Sequence, residues 1–351
     1  MTTGPRVGGP TVNAARSWLV TGGAGYIGAH VVATLRAAGL RVVVVDDLSA
    51  GFPDRIAGVP FVAGCVLDSG LLVDTMRRHD VEGVVHAAAR KDVAESFADP
   101  AGYHRTNVDG LRTVLAAMQV AGVHRIVYSS SAAVYGQAGP HPLTEDMADA
   151  PMSPYGRTKQ IGERLLAEQA RTEGLRSVAL RYFNVGGAAR PQLADVNGKS
   201  LISMVWRSAV AGVAPVVYGS DYPTPDGTCV RDYVHVQDVA EAHLAVLPLL
   251  EQPGNGRSAG AAVAFNVGSG EGHSVLQVLT EVQQVVGEPI SPTMAARRDG
   301  DPAVAVAAVD SIRAAVGWRA RRTLAEIVAD HAGALGAELL TAPLRSATTS
   351  R

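Results

Sequence analysis

Residues 17–38 constrain this chain more than any other stretch. A short apolar run, Trp18-Leu19-Val20, leads into Thr21-Gly22-Gly23-Ala24-Gly25-Tyr26-Ile27-Gly28. Ile27, Val31, Val32 and Leu35 then recur at helical spacing up to a stop at Gly39. The order is strand, tight turn, helix. Glycines 22, 25 and 28 are spaced GxxGxxG. The first permits the turn, the second lets the backbone approach a pyrophosphate, and the third lets the helix pack close on the strand. The N–H groups and dipole at the helix start favour a diphosphate. A second strand pattern over 40–45 ends in Asp46-Asp47. A carboxylate about twenty residues after the glycines suits adenosine ribose hydroxyls and repels a 2′-phosphate, which favours NAD over NADP.

The chain's 351 residues supply material for about two domains and a sizeable core. A net charge of −2 points to neither nucleic acid nor a membrane surface. No apolar run approaches the length of a membrane-spanning helix. Residues 1–15 lack the apolar stretch of a signal peptide and read as a flexible extension; residues 340–351 read as a flexible tail. The two cysteines, Cys65 and Cys229, fit a reducing cytoplasm. Neither they nor the ten histidines show ligand-type spacing, so no metal is expected. Only three of the 31 basic residues are lysines: Lys91, Lys159 and Lys199. Lysine at motif positions in so arginine-rich a chain suggests that an ammonium is needed there.

Through the first half, apolar runs at 60–63, 81–88, 124–129 and 178–183 alternate with helix patterns at 103–120 and 153–169. Val108, Leu111, Val114, Leu115 and Met118 form one stripe of the first of these helices. Such alternation predicts an α/β fold, a Rossmann-type doubly wound parallel sheet. After about Ala188, short strands at 216–218 and 229–231 interleave with a turn cluster at 222–227 and helices at 237–250 and 274–286. This predicts a smaller α/β subdomain over the carboxyl ends of the strands. The expected division is 16–188 for the NAD-binding domain and 189–339 mainly for substrate, with a strand at 262–267 returning to the main sheet. The cleft between them is the default site.

Tyr155-Gly156-Arg157-Thr158-Lys159 follows Ser153-Pro154, a helix-start signal. Tyr155 and Lys159, four apart, share one helix face. A free phenol titrates near ~10, and a neighbouring ammonium with a positively charged nicotinamide would favour the phenolate, making it a working base. Upstream, Ser129-Ser130-Ser131 ends a strand pattern, where hydroxyls face the ligand crevice. Ser131 is placed to bond a reacting sugar hydroxyl and relay its proton to Tyr155.

On these motifs the chain resembles the extended short-chain dehydrogenase/reductase family, most closely its UDP-glucose 4-epimerase branch. The resemblance runs from about residue 17 to about 331 through TGGAGYIG (21–28), AARKDVAES (88–96), SSSAAVYG (129–136), PYGRTK (154–159), LRYFNVGGA (180–188), DYPTPDGTCVRDYVHVQDVAEAH (221–243), FNVGSGEGHSV (265–275) and RRDGDPA (297–303). The long segment at 221–243 is the branch-specific one. The resemblance implies NAD-dependent epimerisation at C4 of a UDP-hexose through a transient 4-ketose, in galactose metabolism, by a cytoplasmic homodimer paired through helices near 101–120 and 154–170. Tyr155 is then the base, Lys159 its partner on the nicotinamide ribose, and Ser131 the contact to the 4-hydroxyl. The implied cofactor residues are Gly22, Gly25, Tyr26, Ile27, Gly28, Asp46, Asp47, Leu48, Cys65, Val66, Ala87, Ala88, Ala89, Lys91, Asn107, Ser129, Tyr182 and Phe183. The implied substrate residues are Lys91, Ala132, Asn184, Ser200, Leu201, Val216, Tyr218, Arg231, Arg298 and Asp301; guanidinium forks suit the diphosphate. Arg297 reads either as a partner of Arg298 or as a solvated neighbour.

Three departures stand out. Gly64-Cys65-Val66 replaces the usual Gly-Asp-aliphatic end of the third strand, Ser200 replaces a His or Asn, and the bulky residue that closes the sugar pocket falls near Val304 and Ala305. Small side chains there leave room for a 2-acetamido group, hence UDP-GlcNAc and UDP-GalNAc. The rival readings are an epimerase for UDP-glucuronate or a dTDP-sugar, a non-catalytic NAD-binding regulator, and a nucleotide-sugar 4,6-dehydratase. The last needs an Asp-Glu pair where this chain has Ala132 and Ala133.

Overall fold

The computed structural model describes residues 16–136, 142–196, 198–251, 260–298 and 300–335. The extension at 1–15 and the tail at 340–351 lie outside these. The strands are β1 (Ser17–Thr21), β2 (Arg41–Asp46), β3 (Phe61–Ala63), β4 (Val81–His86), β5 (Arg125–Ser131), β6 (Arg176–Tyr182), β7 (Asn184–Gly186), β8 (Val216–Tyr218), β9 (Val230–His235), β10 (Ala261–Val267), β11 (Gly272–Ser274), β12 (Thr293–Ala295) and β13 (Val304–Ala305). The α-helices are α1 (Tyr26–Ala37), α2 (Ser69–Arg78), α3 (Val93–Ala98), α4 (Pro100–His104), α5 (Gly110–Ala121), α6 (Pro154–Glu173), α7 (Leu201–Val210), α8 (Val236–Val246), α9 (Val275–Val286), α10 (Asp310–Val316) and α11 (Leu324–Leu335).

Seven strands form one sheet in the order β10-β6-β5-β4-β1-β2-β3, all neighbours parallel. The order reverses between β1 and β4, so the crevice opens at their carboxyl ends. Both faces of the sheet are covered, and the strand sequences show why. Trp18, Val20, Val42 and Val44 point to a layer with Val31, Leu35 and Val239, from α1 and α8. Leu19, Val43 and Val45, one residue out of phase, meet Leu72, Met76, Leu111 and Met118 from α2 and α5. A period of two on a strand buried on both sides gives an unbroken apolar run.

β10 pairs with β6 along its whole length, Ala261 opposite Arg176 through Val267 opposite Tyr182. The segment from β7 to β9 therefore leaves the sheet and comes back. Together with α9 and α11, which follow β10, it builds a second core from Ile202, Val205, Tyr233, Val278, Leu279, Val282 and Ile327. β9 carries β11 and β13 on its first half and β7 on its second.

The helix expected over 103–120 is interrupted. Arg105–Asp109 forms a π-helical turn between α4 and α5. The helix expected at 237–250 ends at Val246 and continues as a 3-10 turn, Leu247–Leu250, with Pro248 in its first turn. The strands β7, β11, β12 and β13 are only two or three residues long, too short for a periodic signal.

Candidate active site

Gly22 ends β1 with φ +71°, and a Cβ there would stand 2.6 Å from the amide nitrogen of Ala88. A Cβ on Gly28 would stand 2.1 Å from the Gly22 carbonyl oxygen. The turn thus lies flat against residues 87–89 after β4, where Ala87 N donates to Thr21 O at 3.0 Å. α1 begins with no side-chain cap and no acid in its first turn. A positive helix end with no side-chain cap fits a dinucleotide diphosphate.

Asp46 locks this turn. Its Oδ2 accepts from Ala24 N at 2.9 Å and its Oδ1 from Leu48 N at 2.8 Å. Burial raises its carboxyl above the usual range, and these two N–H bonds oppose the rise. Leu48 sits at φ +59°, which side-chained residues adopt rarely. Asp46, expected as a ribose ligand, is therefore also the clip of the glycine turn. Asp47 is exposed and binds Ser49 through both its N–H (3.0 Å) and its hydroxyl (2.6 Å). Ile27 packs on the α1 layer of the core, Cys65 is half-buried, and Val66 is buried among the helices of the other face. The Tyr26 hydroxyl donates to Gly187 O at 2.5 Å, tying α1 to the segment after β7. Lys91 Nζ stands 5.5 Å from the Tyr26 ring centroid.

Ser153 caps α6 by accepting from Gly156 N at 3.0 Å, and Pro154 opens the first turn. The next two turns bring Tyr155 and Lys159, both buried, to the end of β5. The Ser131 side chain lies close enough to the Tyr155 phenol to favour its ionised form. Lys159 Nζ donates to the Ser129 carbonyl at 2.7 Å, 4.9 Å from the Tyr128 ring centroid and 5.9 Å from that of Tyr155.

Burial raises the Tyr155 phenol above its ordinary value, and Ser131 opposes the rise. The lysine is itself buried, which pushes its ammonium down to about 7, with the Glu163 carboxylate pulling it back up. Sequence reasoning missed Glu163. Its signal was the spacing Tyr155, Lys159, Glu163, three successive turns of one helix face. Glu163 accepts from Ser130 Oγ at 2.5 Å and from Arg181 Nη2 at 2.6 Å.

Asn107 lies buried in the π-helical turn. Its Oδ1 accepts from Arg90 N at 2.9 Å, while its Nδ2 donates to Arg90 O at 2.9 Å and to Thr158 Oγ1 at 3.0 Å. Thr158 Oγ1 in turn donates to the Tyr155 carbonyl at 2.7 Å. The widened turn, a feature frequent at functional sites, thus braces the helix that carries Tyr155. Thr158 was another residue missed, inside the motif that found its neighbours.

Phe183 is buried with Val134, Tyr135, Leu143 and Ala307, and half-buried Ala132 and Ala305 pack against the same group. Ala132 and Ala305 thus pack on the same buried group. Tyr182 donates into a buried chain with Ser129 and His243 described below. On the other wall, Asn184 is exposed on β7, opposite Tyr233 of β9. Ser200 caps α7 by accepting from Ser203 N at 3.3 Å, with Leu201 half-buried behind it. Val216 and Tyr218 are exposed on β8. Parallel pairing of β12 with β8 brings Arg298 over the Tyr218 ring, 3.9 Å from its centroid. Arg231 donates to Val230 O at 2.8 Å and to Asp301 at 3.3 Å. Arg297 pairs with Asp221 at 2.6 Å and stacks on Tyr222 at 4.2 Å, which makes it a neighbour of Arg298 with its own partners. Among the described residues, no group of three or more His, Cys, Asp or Glu is placed to hold a metal, and no helix is long and apolar enough to cross a membrane.

The chain matches the model of the NAD dependent epimerase/dehydratase family over residues 18–268. It is 44% identical over 305 residues to the UDP-glucose 4-epimerase of Azospirillum brasilense, covering 86% of each chain. It is 42% identical over 317 residues to that of Streptomyces lividans, covering 89% of this chain and 94% of the relative. The structure of a UDP-glucose-4-epimerase from Stenotrophomonas maltophila, with bound NAD and formylated UDP-arabinopyranose, superimposes with a TM-score of 0.85 at 37% identity, covering 92% of this chain and 98% of that one. With the glycine cradle, Tyr155 beside Ser131 and these likenesses together, the chain belongs to the NAD-dependent epimerase/dehydratase family, in its UDP-glucose 4-epimerase branch.

Proposed function

We propose that the protein epimerises UDP-hexoses at C4, interconverting UDP-glucose and UDP-galactose in galactose metabolism. The observation that carries this is buried Tyr155 beside half-buried Ser131, with buried Lys159 one turn on, at the crevice end of β5. NAD, held at the glycine turn, would supply the acceptor for the hydride leaving C4 and the donor that returns it. Residues 46–48, Cys65, Val66, residues 87–89, Lys91, Asn107, Ser129 and Tyr182 would line that cofactor. Ser131 bonds the sugar 4-hydroxyl, and Tyr155 takes its proton in one half-reaction and gives it back in the other. A positive charge brought close to the buried phenol lowers it toward the working range.

Inverting C4 requires the sugar to present its other face while the nucleotide stays fixed. The two walls suit this division. Arg231, Arg298, Asn184, Ser200, Leu201, Val216 and Tyr218 supply polar and aromatic contacts for the nucleotide and its diphosphate. Ala132, Phe183 and Ala305 offer the sugar an apolar wall with no directional bond. The small side chain of Ala305 leaves space for a 2-acetamido group, so UDP-GlcNAc and UDP-GalNAc are proposed as further substrates. Asp301, bonded to Arg231, orients that arginine.

Two copies are proposed to pair through α5 and α6. In support, α3 beside α6 exposes Val93 and Phe97, and α5 exposes Val120. The free cysteines support a reducing, cytoplasmic setting. The deciding experiment is an anaerobic incubation of purified protein with UDP-galactose and no added NAD. UDP-glucose should form. A 4-keto-6-deoxy sugar would instead identify a dehydratase. No turnover despite bound NAD would point to a different nucleotide sugar or to a regulator.

A further inference from the structure

We propose that His243, on α8, is a positioning residue for the epimerase reaction, acting through Tyr182 and Ser129 on the ammonium of Lys159. The proposal rests on the epimerase reading above. Its basis is a buried chain of hydrogen bonds whose direction is fixed by valence.

His243 is fully buried. Its Nδ1 lies 2.9 Å from the carbonyl oxygen of Val239, one turn earlier in α8. A carbonyl only accepts, so Nδ1 carries the proton. Burial holds the imidazole down to about 4, so the ring is neutral and Nε2 is an acceptor. The Tyr182 hydroxyl lies 2.6 Å from Nε2 and must donate there. A phenol has one hydrogen. The 2.9 Å contact between Tyr182 and Ser129 Oγ therefore runs the other way, with serine donating to the phenol oxygen.

The chain reads Ser129 Oγ–H to Tyr182 Oη–H to His243 Nε2, with Nδ1–H on the helix backbone. The carbonyl of the same Ser129 accepts from Lys159 Nζ at 2.7 Å. His243 thus pins both the side chain and the orientation of the residue whose backbone seats the lysine. Every link is buried, so no water competes for the donors.

Three variants test this, each prepared as holoenzyme with its NAD content measured. His243→Phe keeps the ring volume and removes the acceptor. Its kcat should fall about tenfold, the worth of one buried hydrogen bond felt only at the reacting centre, with KM nearly unchanged. His243→Gln, which can place an amide oxygen near the Nε2 position, should recover most of that loss. Tyr182→Phe combined with His243→Phe should be no slower than the slower single variant, because both cut one chain. An independent readout is 15N NMR of histidine-labelled protein: His243 should show the Nδ1–H neutral tautomer, and its Nε2 signal should move in Tyr182→Phe. Wild-type kcat in a folded His243→Phe would overturn the proposal. So would a folded His243→Gln no better than His243→Phe, or an Nε2–H tautomer. Absence of epimerase activity in the wild type would count against the functional reading, and the tautomer measurement would still decide the hydrogen-bond chain.

Discussion

Lys159 gives its ammonium to the carbonyl of Ser129 at 2.7 Å, not to the phenol of Tyr155 four residues away on the same helix. A buried lysine costs stability while its charge is in demand. Burial lowers its folded-state value from 10.5 to about 7, so between those limits the unfolded chain binds the extra proton.

Lys159→Met should therefore do two opposite things. Activity should fall by about 10²–10⁴-fold, the range for lost support of a general base. Stability at pH 7 should rise by about 1–3 kcal/mol, after subtracting the lost bond to Ser129. The gain should shrink as pH climbs from 7 toward 10.5, where the wild-type lysine is neutral in both states. Urea titrations at pH 7 and 9.5 measure it, and a variant less stable at both would contradict the account.

Ser131→Ala removes the group that opposes the burial-driven rise of Tyr155. The phenol should climb further, so the acid limb of the kcat profile should move to higher pH. The remaining activity should be restored partly by raising pH. An unshifted limb would show that Ser131 acts on substrate alone.

Five buried histidines bear on acid stability, His331 among them, its imidazole lowered by burial. His86 is held near 3, and His30, His235 and His243 near 4, each by burial first. Their folded values lie below the unfolded 6.5, so stability is full above 6.5 and is lost as pH falls toward 4. Each removes up to about 1.4 kcal/mol per pH unit. Asp46, Asp232 and Asp238, raised by burial, act in the opposite sense nearer their own range. Between pH 7.5 and 5.5 the unfolding free energy should drop by roughly 4–5 kcal/mol. Equal urea midpoints at the two pH values would refute this.

Ala305→Tyr should close the sugar wall. Turnover of UDP-GalNAc should fall at least about tenfold while UDP-galactose is little affected, because steric rejection in a packed pocket costs about 1–3 kcal/mol. Competition assays with both sugars measure the ratio. Equal losses on both would place Ala305 outside the pocket.

Asp46→Asn keeps an acceptor for only one of the two N–H groups that the carboxylate oxygens now hold. The turn between Ala24 and Leu48 should loosen, and NAD carried through purification should fall by about 1–3 kcal/mol of affinity. Absorbance of released cofactor after denaturation reads this directly.

Much of the fold was legible because the buried parallel strands write long apolar runs. The catalytic pair was legible because Ser153-Pro154 announced the helix and fixed Tyr155 and Lys159 on one face. What stayed hidden was set by distance in sequence. Nothing local in Arg181 shows that it folds onto Glu163 from the next strand, or that Asp232 gathers the amides of Ser269, Gly270 and Ala307. Spacing puts Tyr155 and Lys159 on one helix face, but the carbonyl of Ser129, on a distant strand, decides where the ammonium points.

The placement of β10 has a consequence for biosynthesis. The strand that shields β6 is the last of the seven to be made, after the whole excursion from β7 to β9. At 5–20 residues per second, the ribosome leaves β6 as a raw edge for roughly 4–17 s. During that interval the nascent chain offers a row of unpaired amides to any neighbouring strand. A premature stop after residue 188 would make the exposure permanent, and the product should be recovered in inclusion bodies instead of as a half-functional NAD binder.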